Sequence, residues 1–348
     1  MKFWLLTSIF ALNTLATEQV DYFNEYANKT YRAHTNTITY HLIRSPYGVD
    51  WSNKTSNVIL KLAMNKYFFP ETKRNLGHVT VELNCQDKNG EDIRIITGQG
   101  AKSTQQLTQA LTKDGYGLTL LNRPTSHPNL PLITTQGNFE DENDLIPEFN
   151  QYLKEEYVYR NLPGPRRNGR MREVLKKKHF NTMAFLSYKI SPTQCTKMID
   201  FYRKYKSVTE QTKDTKNPKA GNVYGFGAEP TKFQGAGCAT YAEAFFQVAG
   251  LSNQFQFYQT VHASKELVGD PKNGRRVSLQ KLLSSSEKIS KKEKDNITFK
   301  FPDPDLMHEY VQEINKAPNR FDNVLDYGNF GKKAKYAIID LTAMEIKE

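Results

Sequence analysis

Phe233-Gln234-Gly235-Ala236-Gly237-Cys238-Ala239-Thr240-Tyr241-Ala242 is the stretch on which the reading of this chain turns. A glycine-rich approach delivers Cys238 to an apolar-faced run that ends near Val248 and is followed by Gly250. The spacing predicts a helix with Cys238 in its first turn and a glycine stop at its end. A helix N-terminus carries unpaired amide protons and a partial positive charge. Both favour thiolate over thiol, and the thiolate is the nucleophile. The same amides can hold an oxyanion formed when that thiolate attacks a carbonyl. A small cysteine packed at a buried helix start has the same local sequence, so the loop needs a partner before it reads as chemistry.

Upstream, Leu76-Gly77-His78-Val79-Thr80-Val81-Glu82 alternates. Val79, Val81 and Leu83 fall on one side, with His78, Thr80 and Glu82 on the other. That is the pattern of a half-buried strand. A thiol nucleophile needs a base within hydrogen-bond reach, and histidine titrates in the useful range. A strand holds the imidazole in fixed register. The other histidines read as lacking such a setting: His34 and His41 near the start, His127 in a proline-flanked loop, His179 at the end of a basic loop, His262 and His308 on the surface.

Further out, strands are predicted over 37–43, 76–84, 92–97, 116–121, 181–190, 254–261 and 335–341. A Lys88-Asn89-Gly90 turn joins the second and third of these. Helices are predicted over 56–66, 103–111, 140–159 (interrupted at Pro147), 192–205, 238–248 and 304–316. Ser191-Pro192-Thr193 reads as a helix start, since the hydroxyls accept orphan amide protons and proline fits a first turn. Residues 206–219 read as polar linker and 284–294 as a charged loop. Between 161 and 178, Arg166, Arg167, Arg170, Arg172, Lys176, Lys177 and Lys178 form a basic loop. The irregular order of strands and helices predicts an α+β fold. One catalytic domain over 17–348 with insertions, its core at about 76–260, fits better than two units. Tyr40 to Trp51 clusters aromatics beside a turn, either as core or as one wall of a cleft.

Composition bounds the answer. Apolar residues are 38% and aromatics 12% of the 348, enough to fill a core and too many for a disordered tail. The 3 cysteines exclude a disulfide-dense miniprotein. Lys2, the apolar run 3–12 and Thr14-Leu15-Ala16 have the layout of a secretory signal peptide cleaved after Ala16. That run is too short to span a bilayer, no later window is long enough, and no cysteine follows it to carry a lipid anchor. The expected location is periplasmic or secreted, without a transmembrane segment. An odd cysteine count in an exported chain leaves one unpaired or bonded to another chain; a Cys85–Cys195 bridge would leave Cys238 alone.

Together, Gly77-His78-Val79-Thr80-Val81 and, far downstream, Gly237-Cys238-Ala239-Thr240-Tyr241 resemble the circularly permuted NlpC-type papain-like cysteine hydrolases, an arrangement shared by lecithin–retinol acyltransferase-like proteins. In that group the histidine strand precedes the cysteine helix. The helix opening Ser-Pro-Thr-Gln-Cys at 191–195 is also similar to one that often precedes the cysteine loop there. The resemblance covers about 76–250. It implies an antiparallel sheet packed against the cysteine-bearing helix, with Cys238 as nucleophile and His78 as base. A third polar residue usually orients the imidazole from the following strand. Here that strand offers no plain carboxylate; Gln99 and Glu82 are both candidates. Gln234 is either an oxyanion donor, as a glutamine is in papain-like enzymes, or a structural loop residue.

The expectation is an exported cysteine peptidase, amidase or acyl-transfer enzyme cleaving an amide or ester bond, with no cofactor and no metal. Its substrate class is a peptide, peptidoglycan (cell-wall peptide) or a lipid ester. The alternative is a non-catalytic binding module on the same fold. The formal net charge of +11 suits an anionic envelope surface. No nucleic-acid recognition motif accompanies the basic loop. No His-Glu-x-x-His or paired Cys-x-x-Cys spacing is present for a metal.

Overall fold

A computed structural model describes residues 21–45, 77–87, 89–101, 137–154, 183–211, 224, 229–233, 235–264, 296–332 and 334–344. The proposed leader, the cluster at 46–51, the elements expected at 56–66, 103–111 and 116–121, the basic loop, the charged loop and Gln234 lie outside the described residues.

The fold is α+β, built on a seven-stranded sheet with strand order β4-β3-β2-β1-β5-β9-β8. The strands are β1 (Thr37–Ile43), β2 (His78–Gln86), β3 (Asp92–Ala101), β4 (Gly137–Asp141), β5 (Met183–Lys189), β8 (Val324–Phe330) and β9 (Ala334–Asp340). Every neighbouring pair is antiparallel except β5 with β9. A separate antiparallel pair joins β6 (Tyr258–Ser264) and β7 (Asn296–Pro302). Among the described residues, five helices cover the large sheet: α1 (Tyr22–Lys29), α2 (Glu142–Lys154), α3 (Pro192–Gln211), α4 (Cys238–Val248) and α5 (Pro304–Lys316).

Strand β1 is buried along its whole length because helices cover both of its faces. Its alternation splits the core in two. Ile38, Tyr40 and Leu42 join Val79, Val81 and Leu83 beneath α3, α4 and α5. Ile43 joins Phe185 and Ile338 on the opposite face, against Phe23 of α1 and Phe149 of α2. Helix α4 is buried nearly all round, so its hydrophobicity is not confined to one stripe. Its Tyr241 packs on Tyr205 of α3 at 4.9 Å, and Phe245 meets Phe201 edge-on at 5.1 Å.

Cys85 of β2 and Cys195 of α3 form a disulfide, with Cα atoms 6.0 Å apart. Helix α3 opens on a reciprocal cap. The Ser191 hydroxyl accepts from the Gln194 amide at 3.2 Å, and the Gln194 side chain accepts from the Ser191 amide at 2.8 Å.

Several boundaries differ from the sequence-based expectation. Residues 140 and 141, expected in a helix, end β4 and pair with Gly98 and Thr97. Residues 206–211, expected as linker, belong to α3, which runs to Gln211. Strands β4, β7 and β8 were not expected at all: β4 and β8 are short or largely exposed and lack a clean apolar alternation. His308, expected at the surface, is buried in α5. Among the described residues no helix is long and apolar enough to cross a membrane.

Candidate active site

The site gathers at the end of the sheet where β2 begins. Gly77, the residue before His78, has φ +76°, a conformation that side chains rarely adopt. A Cβ there would also lie 3.0 Å from a carboxylate oxygen of Asp305 and 3.2 Å from the Ile43 carbonyl. Glycine is therefore dictated by the turn that sets His78 at the first position of its strand.

His78 faces the same side as Thr80. From β4, Glu140 reaches across, and its Oε2 lies 3.0 Å from His78 Nε2, with both side chains nearly buried. Gly98 on β3 stands between them in register, paired with Thr80 on one side and Glu140 on the other. A Cβ at Gly98 would lie 2.7 Å from Glu140 Oε2. The glycine is the clearance through which the carboxylate reaches the imidazole. Such a glycine inside a strand marks a close approach, and this is the signal by which the sequence could have pointed to Glu140.

Cys238 arrives from the other layer, in the first turn of α4. Its N-cap, Gly237, is bonded twice to Thr240: the Gly237 amide donates to the Thr240 hydroxyl at 2.7 Å, and that hydroxyl donates back to the Gly237 carbonyl at 3.0 Å. The registered pairing of β2 with β3 starts only at Thr80. Before it, His78 and Val79 stay paired with β1 on one edge and meet the sulfur from the other. Cys238 takes a hydrogen bond from the His78 side chain, another from the Val79 amide, and one from the Tyr224 hydroxyl, whose oxygen is 3.6 Å from Sγ. Since Nε2 is engaged by Glu140, Nδ1 is the ring nitrogen left for the thiol.

These contacts decide the thiol's protonation. Burial raises its pKa, but the His78 hydrogen bond and charge, the Tyr224 hydroxyl and the Val79 amide together outweigh burial and hold it below the ordinary thiol value. Cys238, His78 and Glu140 thus form a chain of thiol, imidazole and carboxylate. Such a chain can generate a thiolate, hold the ring in one orientation and return a proton to a leaving group.

The two residues considered for the third position lie elsewhere. Glu82 is on the His78 face but four residues along β2, roughly 13 Å away. It accepts from Arg32 at 2.5 Å and Tyr31 at 2.9 Å, and pairs with His41 Nε2 at 3.1 Å. Gln99 follows Gly98 and so points to the opposite face, where it accepts from the Tyr205 hydroxyl at 3.2 Å. Glu140 is the partner that the sequence reading missed, and Tyr224 is a second missed contact, for which no local pattern gives a sign. His41, read as lacking a functional setting, is fully buried and bonded to a glutamate. The free cysteine is Cys238; Cys85 and Cys195 are bonded to each other. Among the described residues, no group of three or more His, Cys, Asp or Glu side chains is arranged to hold a metal.

Comparison with protein-family models, with curated proteins and with solved structures found no match to this chain.

Proposed function

We propose that this chain is an exported cysteine hydrolase or acyl-transfer enzyme on a permuted papain-like, NlpC-type core, acting on an amide or ester bond. The observation that carries the reading is the hydrogen-bonded chain Cys238–His78–Glu140, with the sulfur at a helix N-terminus. In this reading the Cys238 thiolate attacks the substrate carbonyl. The carbonyl π electrons move to oxygen, where the first amides of α4 stabilise the negative charge. The His78 imidazolium gives its proton to the departing amine or alcohol as the carbon–heteroatom bond breaks. Glu140 holds the ring in the tautomer that serves both steps. The acyl-enzyme is then resolved by water or by an acceptor nucleophile, whose proton His78 takes.

Peptide, cell-wall peptide or lipid-ester substrates fit this chemistry. The surplus of basic residues suits an anionic envelope surface. The Cys85–Cys195 disulfide accords with an oxidising location. A second reading, a non-catalytic module, rests on burial: Cys238 is 4% and His78 2% exposed, so substrate must open a way in.

Alkylation at neutral pH separates the two. The enzyme reading expects iodoacetamide to label Cys238 selectively and His78→Ala to slow that labelling. Cys238→Ala should remain folded and lose all turnover of model amides and esters. Labelling indifferent to His78, with ligand binding preserved in Cys238→Ala, would leave only the binding module.

A further inference from the structure

A cavity of about 520 Å³ opens away from Cys238, beyond the far end of α4, between the segment 254–257, the exposed flank of α5 and the ends of β5 and β9. Its size is that of a small-ligand site, and it shares no lining residue with the cysteine site. The floor is apolar and aromatic. Phe257 and Tyr310 meet edge-on at 5.3 Å, and Tyr188 lies below them. Tyr188 is only 3% exposed, yet its hydroxyl makes no hydrogen bond among the described residues. The Tyr310 hydroxyl makes none either. Both phenol oxygens keep accessible surface and remain open to a partner in the cavity.

The rim has one sign of charge. Glu309, Glu313 and Asp322 line it, and among the described residues no lysine or arginine does, in a chain whose net charge is +11. Glu309 already holds a guanidinium, that of Arg44, at 2.9 Å. Glu313 and Asp322 make no ion pair among the described residues. We propose that this cavity binds an organic cation, an alkylammonium or guanidinium group on an apolar stem.

Each part of the lining has a role in this assignment. The stem covers the aromatic floor, the cation donates to the phenol oxygens, and the rim carboxylates and ring faces offset its charge. An anion would find amide donors in Gln254, Gln256 and Asn323 but would face the carboxylates of Glu309, Glu313 and Asp322 with no lining cation among the described residues. A neutral apolar ligand would leave the Tyr188 hydroxyl unbonded. Two sources share the chemistry: a free amine, or the side chain of a lysine or arginine on a polypeptide. The assignment is independent of the cysteine chemistry.

The test is calorimetric titration of the full chain with cadaverine, with pentanol as the uncharged match, and with a lysine tripeptide in free and side-chain-acetylated forms. Saturable binding of the charged member of either pair is expected, with none for the uncharged member. Raising ionic strength from about 0.01 M to about 1 M shortens the screening length from ~30 Å to ~3 Å and should weaken it severalfold in the unaltered protein. The double variant Glu313→Gln/Asp322→Asn changes exposed side chains and should bind about tenfold more weakly at an unchanged melting temperature. Tyr188→Phe should cost about fivefold. Tighter binding of cadaverine assigns the site to a free amine, and tighter binding of the free tripeptide to a polypeptide side chain; both support the proposal. It is overturned if neither charged probe binds saturably, if pentanol binds as well as cadaverine, or if the acidic double variant binds like the parent.

Discussion

His78 and His41 each set Nε2 against a glutamate oxygen at nearly the same distance, 3.0 Å to Glu140 and 3.1 Å to Glu82. Both pairs are buried and both stand on the same face of the sheet. They differ in what surrounds the rest of the ring and the rest of the carboxylate. Around His41 the neighbours are Phe23, Phe149 and Phe185, with ring centroids at 5.3, 4.8 and 5.4 Å, and its Nδ1 has no partner. Burial pulls the His41 pKa down, against the pull of Glu82, so the ring stays neutral. Burial would raise Glu82, but His41 and Arg32 outweigh it and keep the carboxyl ionised below its ordinary range. That pair is a closed, charge-balanced knot tying α1 and its following turn to β1 and β2. The His78 side chain instead bonds a thiol, at the end of the sheet where β2 begins and at the N-terminus of a helix. What separates the two histidine–carboxylate pairs is what meets the rest of the ring: a thiol at His78, aromatic rings at His41.

The comparison is broken or sharpened by substitution. The largest contrast is between the histidines. His78→Ala should lower turnover by roughly 10²–10⁴-fold, the range for loss of a general acid–base group. His41→Ala should leave Cys238 alkylation unchanged and lower stability by about 1–3 kcal/mol, because Glu82 loses a buried partner. Equal slowing of alkylation by both would erase the distinction. Next come the glutamates. Glu82→Gln strips the buried Arg32 of its counter-charge and should cost about 3–5 kcal/mol in denaturant unfolding. Glu140→Gln should leave the unfolding midpoint close to parent and act on turnover.

Gly98→Ala is subtler. Its new Cβ would displace Glu140 Oε2, from which it would stand 2.7 Å, while His78 and Cys238 stay unaltered. Turnover should fall roughly 10–100-fold, as when an orienting outer-shell contact is lost, with KM little changed. A parent-like rate would mean that Glu140 does not orient the ring.

The smallest effect lies beneath Gly77. Burial and the neighbouring Asp303 carboxyl push Asp305 up to about 7, against the Ser45 amide and Arg44, which pull it down. A carboxyl whose folded pKa exceeds its unfolded value of 3.8 adds stability that is complete below that value and is lost as pH rises through about 7. Melting temperature should therefore fall across that window by more in the parent than in Asp305→Asn. Parallel pH profiles would refute this. Glu82, shifted the other way, contributes its own loss only on acidification and cancels in the difference.

Much of the site was written locally. The glycine approach, the first-turn cysteine and the apolar helix lie within one short stretch, and the reciprocal cap of Ser191 with Gln194 is visible as Ser-x-x-Gln. Local rules suffice for the Ser191 half of that cap, whereas the expected partner acceptor was Thr193 and the structure uses Gln194. Glu140 was not legible, because its place is set by the register of two antiparallel pairings. Those bring β4 beside Gly98 from 42 positions further along the chain. Read alone, Glu140 and Asp141 look like the acidic first turn of α2. His41 was misjudged for a related reason: nothing in 37–43 tells that both faces of β1 are covered, which depends on helices far away in sequence.

The three cysteines also pose a sorting problem during assembly. Cys85 and Cys195 are 110 residues apart, whereas Cys195 and Cys238 are separated by 43 (238 − 195). In an unfolded chain, loop closure scales as about the −3/2 power of length, so the shorter loop forms about fourfold more often. Chance pairing would thus bury the free thiol in a wrong bridge more often than it made the right one. The native pairing has to be chosen by the docking of α3 on β2 ahead of oxidation, or recovered by exchange, with the Cys238 thiolate itself able to attack a misplaced bond. A chain of this design reaches its single free thiol only through the order in which its parts come together.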